Sequence, residues 1–202
     1  MALTTYLGIK DAIESWSHRN DVASRLDDFI DLAEAEMYKY LRTRDMEERS
    51  NLSITTRYAT LPTGFLEARR LRVISGGNSY DLLYSTPESL EIVAESGRPR
   101  LFTVTSQIEF DRTPDSSYTV EVQYYKTLTA LSQAAPTNAI LTRFPDIYLN
   151  GALWALYQWA LQEDKSEFYY AKFMKAVQGA NRSDRKGRQG PAPAMRYGGA
   201  TP

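Results

Sequence analysis

Cysteine is absent from the sequence. That excludes a disulfide framework, a zinc ribbon, an iron–sulfur cluster and a thiol nucleophile. A single histidine, His18, leaves no room for a site built on two imidazoles. It stands between two helical segments beside Arg19 and Asn20, where capping or surface exposure is expected rather than catalysis. The HExxH, GxxxxGK[ST] and GxGxxG patterns are missing, so no site of those kinds is expected for a metal or a nucleotide phosphate. Neither sign of charge dominates: 24 basic residues face 25 acidic ones, for a net charge of -1. That balance argues against a dedicated duplex-DNA binder. Long hydrophobic runs are also lacking. The charge-free stretch Ile147 to Gln162 is interrupted by Asn150, Gly151, Gln158 and Gln162. It is shorter than the roughly 20 residues of a spanning helix and reads as a buried one. Met1 to Lys10 lacks the charged region and apolar run of a signal peptide. A soluble, intracellular α+β protein without cofactor or metal is therefore expected.

What is present is strongly periodic. With 202 residues, 43% hydrophobic and 24% charged, the chain is expected to form one domain with an excursion. Ile9, Ile13 and Trp16 share a face and predict a first helix over Thr4 to Trp16. Asn20 or Asp21 can cap a second, running from Asp21 to near Arg44. Its apolar stripe is Val22, Leu26, Phe29, Ile30, Ala33, Met37, Tyr40 and Leu41. Alternation then switches to period two. Strands are predicted from Leu52 to Tyr58, Arg70 to Ser75, Tyr80 to Tyr84, Leu101 to Thr105, Ile108 to Asp111 and Thr119 to Tyr124. Gly76-Gly77-Asn78 supplies a hairpin turn. Thr86 to Glu95 reads as a short helix with Thr86 as cap and Pro87 at its first position.

Helix returns after Pro136. Asp146 to Gln162 is apolar on nearly every side and must be covered all round, a demand that strains a chain of this size and points to a partner surface. Asp164 and Glu167 resemble a capping box for a last helix. Its stripe is Phe168, Tyr169, Phe173, Val177 and Ala180, and it is expected to fray near Asn181. The fold expected is thus α+β: a helical bundle of N- and C-terminal helices (1–50 and 127–181), an inserted, small, mostly antiparallel β-sheet (51–126), and a flexible C-terminal arm (182–202). The arm is basic and rich in Gly and Pro, too poor in apolar surface to offset its ordering entropy.

The paired carboxylates Asp27-Asp28 and Glu47-Glu48 could flank a sugar as glycan-cleaving pairs; as sequence neighbours on a helix they diverge and read as solvated charges. Fourteen tyrosines and three tryptophans allow core packing or interface packing, with base stacking a weaker third reading.

Several phrases resemble the head-to-tail adaptor (connector) proteins of tailed bacteriophages, notably those of short-tailed phages. They are Phe29-Ile30-Asp31-Leu32-Ala33-Glu34-Ala35-Glu36 with Leu41-Arg42-Thr43-Arg44-Asp45-Met46-Glu47, then Leu61-Pro62-Thr63-Gly64-Phe65-Leu66-Glu67, then Ser96-Gly97-Arg98-Pro99-Arg100, Tyr124-Tyr125-Lys126, and Phe144-Pro145-Asp146-Ile147-Tyr148-Leu149-Asn150-Gly151-Ala152-Leu153. The resemblance covers Thr4 to Asn181. It implies a non-enzymatic virion protein forming a ring, usually of twelve copies, under the portal at the head-tail junction. The ring extends the DNA channel and carries tail proteins; genomic DNA passes without specific binding. Assembly in the host cytoplasm and no membrane contact follow. By position, the family's portal-docking segment falls on Arg182, Arg185, Lys186, Arg188, Arg196 and Tyr197. Contacts between copies are expected from Trp154, Tyr157, Trp159, Tyr38 and Tyr40. Another tail-completion or tail-tube component, a cell-wall glycan hydrolase and a nucleic-acid-binding regulator are the competing functions.

Overall fold

Residues 3–188 of the computed structural model are described. Among them are five α-helices: α1 (Tyr6–Ser17), α2 (Leu26–Tyr40), α3 (Ala139–Arg143), α4 (Pro145–Trp159) and α5 (Glu163–Arg188). Seven strands lie between α2 and α3: β1 (Glu47–Ile54), β2 (Tyr58–Ala59), β3 (Phe65–Ser75), β4 (Asn78–Tyr84), β5 (Leu101–Val104), β6 (Ile108–Phe110) and β7 (Tyr118–Lys126). The α+β class and the mostly antiparallel sheet expected above are both observed. Two compact units result: one from the residues up to Asp45 and from Thr129 onward, the other Met46–Leu128.

The helical unit is built around α4. Nine of its 15 residues are buried, and α1, α2 and α5 all pack against it. The expectation that a partner must cover this helix is therefore corrected: the chain covers it itself. Ile9, Ile13, Phe29, Ile30, Met37, Phe173 and Val177 supply the cover. At Gly151 both α2 and α5 press on α4. A Cβ there would sit 2.8 Å from the Ala33 Cβ and 3.1 Å from the Phe173 ring.

Both long helices start and stop at places that periodicity did not show. A 3-10 turn over Ala23–Arg25 precedes α2, and no side chain caps it. Asp21 pairs with Arg19 instead, at 2.5 Å. The stop at Tyr40 comes from an extended Leu41, at ψ 127°. Thr5 caps α1 by accepting from the Gly8 N–H at 3.2 Å. Helix α5 begins at Glu163, which places Asp164 within its first turn rather than at the cap.

In the other unit the strand order is β1-β7-β3-β4-β5-β6-β2, and only the β4–β5 pairing is parallel. The two edge strands, β1 and β2, are consecutive in the chain and touch. Two register shifts bend β3 between Phe65 and Arg70, since a bulge adds curl and twist. The sheet closes on Ile54, Leu71, Val73, Leu82, Phe102, Ile108, Phe110, Val120, Val122 and Tyr124. Gly76 and Gly77, at φ 55° and 78°, make the two-residue β3–β4 turn, which requires positive φ at both positions. The helix expected over Thr86 to Glu95 is absent. Backbone donors there and just beyond serve a neighbouring segment: Val93 donates to the Asp111 carbonyl at 2.8 Å and Gly97 to the Thr113 carbonyl at 2.9 Å. Buried Asp111 holds the start of β5, its Oδ1 accepting from the Arg100 and Leu101 N–H groups at 2.9 and 3.2 Å.

Two glycines on the packed helices should respond oppositely to alanine. Gly151→Ala is expected to lower stability by about 1–3 kcal/mol through overpacking. Gly179→Ala, where a Cβ meets nothing within 4 Å, should raise it by about 0.5–1 kcal/mol through helix propensity. Urea denaturation of the two variants checks the pair.

Candidate functional site

The C-terminal third of α5 is where the helix outruns the expected fraying point. Asn181 does not end the helix; it closes another. Its Oδ1 accepts from the Arg42 N–H at 2.8 Å and its Nδ2 donates to the Tyr40 carbonyl at 2.9 Å. The Arg42 guanidinium donates to the Tyr38 and Leu41 carbonyls at 2.8 and 2.7 Å. Together they satisfy carbonyls that the end of α2 leaves free. One turn on, Asp184 is buried, 2% exposed. Its Oδ2 accepts from Arg188 Nε at 2.6 Å, and its Oδ1 lies 3.4 Å from Arg44 Nε. These contacts hold residues 182–188 in helix, so the extended arm expected from Arg182 is corrected over that stretch. Arg182, Arg185 and Lys186 are exposed on it and make no ion pair among the described residues. Arg196 and Tyr197 lie outside the described residues.

The aromatic residues expected between copies are placed as follows. Tyr157 is buried at 4% exposure and stacks on Tyr169 of its own chain, ring centroids 5.4 Å apart. Trp154 is half-buried, 5.3 Å from Tyr170 and 6.5 Å from Phe173. Trp159 is 41% exposed beside Phe29 at 5.9 Å. The guanidinium groups of Arg19 and Arg25 sit 5.4 and 5.3 Å from its ring. Tyr38 is half-buried and Tyr40 exposed. Of the carboxylate pairs, Asp27 accepts from Lys10 at 2.7 Å and from the Tyr6 hydroxyl. Glu47 pairs with Arg69 and Glu48 with Lys126. Both of these glutamates lie on β1 rather than a helix, so alternation points them to opposite faces.

A buried acidic network escaped the sequence reading. Glu34 Oε1 accepts from the Leu131 N–H at 3.1 Å and the Tyr148 hydroxyl at 3.0 Å. Asn138 donates to the same hydroxyl at 2.7 Å and caps α3 through its Oδ1. This clasp ties the segment before α3 to α2 and α4. Burial pushes the Glu34 carboxyl above the ordinary range, with Asp31 adding to it, while the two hydrogen bonds oppose the shift. Burial likewise raises the Tyr148 hydroxyl.

The turn joining α4 to α5 has an unusual residue. The Leu161 N–H donates to the Gln158 carbonyl at 3.2 Å and the Gln162 N–H to the Tyr157 carbonyl at 3.0 Å. These are the two bonds of a Schellman motif, whose left-handed position is normally glycine. Here it is Leu161 at φ 55°, a conformation costing about 1–2 kcal/mol for a residue with a Cβ. Its side chain is 88% exposed. Glu163, Asp164 and Lys165 lie exposed beside it. Elsewhere on the same unit an open groove of ≈ 540 Å³ runs between α1, α4 and α5, lined by Trp16, Leu149, Ala176, Gly179, Lys172 and Lys175 among others. Among the described residues, no three His, Cys, Asp or Glu side chains gather as metal ligands, and no helix is long and apolar enough to cross a membrane.

These features sit on a well-packed α+β scaffold, and comparison with protein families gives the class that the phrases above suggested: a phage adaptor protein. The family model described as SU10 adaptor protein matches residues 4–195, and the chain belongs to that family. No curated protein matches it.

Two predictions follow from the buried acids. Asp184→Ala should unwind the end of α5, seen as lost helical circular dichroism, and cost about 1–3 kcal/mol. For Glu34, the raised carboxyl pKa means that the native state binds more protons than the unfolded chain above about pH 4.3. Its contribution is therefore lost as pH rises through the shifted value. Relative to wild type, Glu34→Gln should gain stability over that window and change little below it, as read by urea denaturation at a series of pH values.

Proposed function

We propose that this protein is a virion structural protein, the head-to-tail adaptor of a short-tailed phage. Copies assemble as a ring, of twelve protomers in this reading, beneath the portal. The ring continues the DNA channel and gives tail proteins a platform. The match over residues 4–195 carries the proposal; it runs through the basic end of α5 and past it.

The portal contact is assigned to Arg182, Arg185 and Lys186, with Arg188, Arg196 and Tyr197 continuing it. Three exposed cations on one short helical stretch, ahead of a Gly- and Pro-rich segment, suit acidic side chains or carbonyls on a portal. A contact repeated in every copy gains from avidity, so each can be weak. Genomic DNA is expected to pass without specific binding, in keeping with a net charge of -1. The protein would act without catalysis, in the host cytoplasm during assembly and then at the head-tail junction.

The triple substitution Arg182→Glu, Arg185→Glu, Lys186→Glu should abolish co-sedimentation with purified portal rings of the same phage while leaving circular dichroism unchanged. Unaltered binding by that variant would remove the portal contact from this stretch. Wild-type protein that binds isolated tails but never portal rings would identify a tail-completion component instead.

A further inference from the structure

We propose that the α4–α5 corner of one copy seats in the α1/α4/α5 groove of the next copy. Leu161 is the knob, and the side-by-side contact is heterologous. The inference rests on the ring reading above and names the surface that would make it.

Three observations support a second copy as the occupant. First, Leu161 stands in the one position of its Schellman turn where glycine would relieve strain, and its side chain is 88% exposed. A leucine held there gains nothing within its own chain. It gains if the side chain enters an apolar site. Second, the groove is such a site, with Trp16, 49% exposed, and Leu149 and Ala176 along it. Third, the charges match. The knob is flanked by Glu163 and Asp164, and the groove is rimmed by Lys172 and Lys175. In the reverse sense, Lys165 on the corner can face Asp146 in the groove. Knob and groove are different parts of one helical unit, so pairing them head to tail leaves an open chain with a free knob at one end and a free groove at the other. Closure of that chain into a ring satisfies all copies.

The cysteine-free sequence gives a clean test. Leu161→Cys/Ala176→Cys should, when oxidised on portal rings of the same phage, yield a non-reducing ladder that climbs past the dimer. Each single variant should yield none. Portal-bound double variant without a ladder, a ladder that stops at the dimer, or equal cross-linking by Leu161→Cys alone would overturn the knob-and-groove contact and leave the adaptor reading standing. If wild-type protein fails to bind portal rings, that reading falls instead, and the same cross-linking on concentrated free protein decides the contact by itself.

Leu161→Asn separates assembly from folding. The melting temperature of the monomer should hold or rise, by roughly 2–4 °C for each kcal/mol of strain relieved. Copies bound per portal ring should fall. A variant that melts lower and still fills the ring would show that Leu161 serves the fold of its own chain.

Discussion

The surface of α4 sets the terms for the rest of the helical unit. A helix apolar around nearly its whole circumference is stable in water only when other helices enclose it. Here the enclosing helices come from opposite ends of the chain: α1 and α2 before the strands, α5 after them. The strands of Met46–Leu128 are thereby an insertion between two segments that must meet. Gly151 marks how closely they meet, since even a methyl group there would collide with Ala33 and Phe173. The buried Glu34 clasp follows from the same enclosure. It gives the segment entering α3 a fixed seat on α2 and α4, and a buried carboxylate with two good donors costs much less than one without.

Regular repetition made most elements legible. Period two over Thr119 to Tyr124 and the Gly76-Gly77 pair located β7 and the β3–β4 hairpin, because alternation and positive φ are local demands. What escaped depended on distant partners. Nothing near Asn181 says that its amide closes α2 across the sequence, or that Asp184 will meet Arg44; only the Arg188 partner, four residues on, was within reach of a local reading. The missing helix at Thr86 to Glu95 shows the converse. Thr86 and Pro87 are good starting signals, yet the backbone donors that follow are claimed by residues near Asp111. Among the residues proposed as contacts, Arg182, Arg185 and Lys186 stood out by composition. Leu161 did not, because a leucine in a glycine's position is visible only in the dihedral angles.

The two surfaces on the helical unit differ in chemistry and so in what they can recognise. Arg182, Arg185 and Lys186 present charge on a stretch held in helix by Asp184 and Asn181, so the cations are positioned before any partner arrives. In the proposed portal contact, that preorganisation would lower the entropy lost on docking. The corner and groove offer apolar area edged with complementary charge, a pattern in which the apolar part supplies affinity and the charges fix orientation.

The insertion of the strands also orders events at the ribosome. Residues 46–128 are contiguous, so their ladder can close as soon as β7 emerges. Helices α1 and α2 are made first yet have nothing to enclose until α4 has been synthesised, and α2 lacks its Asn181 cap until α5 is nearly complete. The earliest-made part of this polypeptide is therefore among the last to reach its native packing, and nascent chains carry the apolar stripe of α2 uncovered through much of translation.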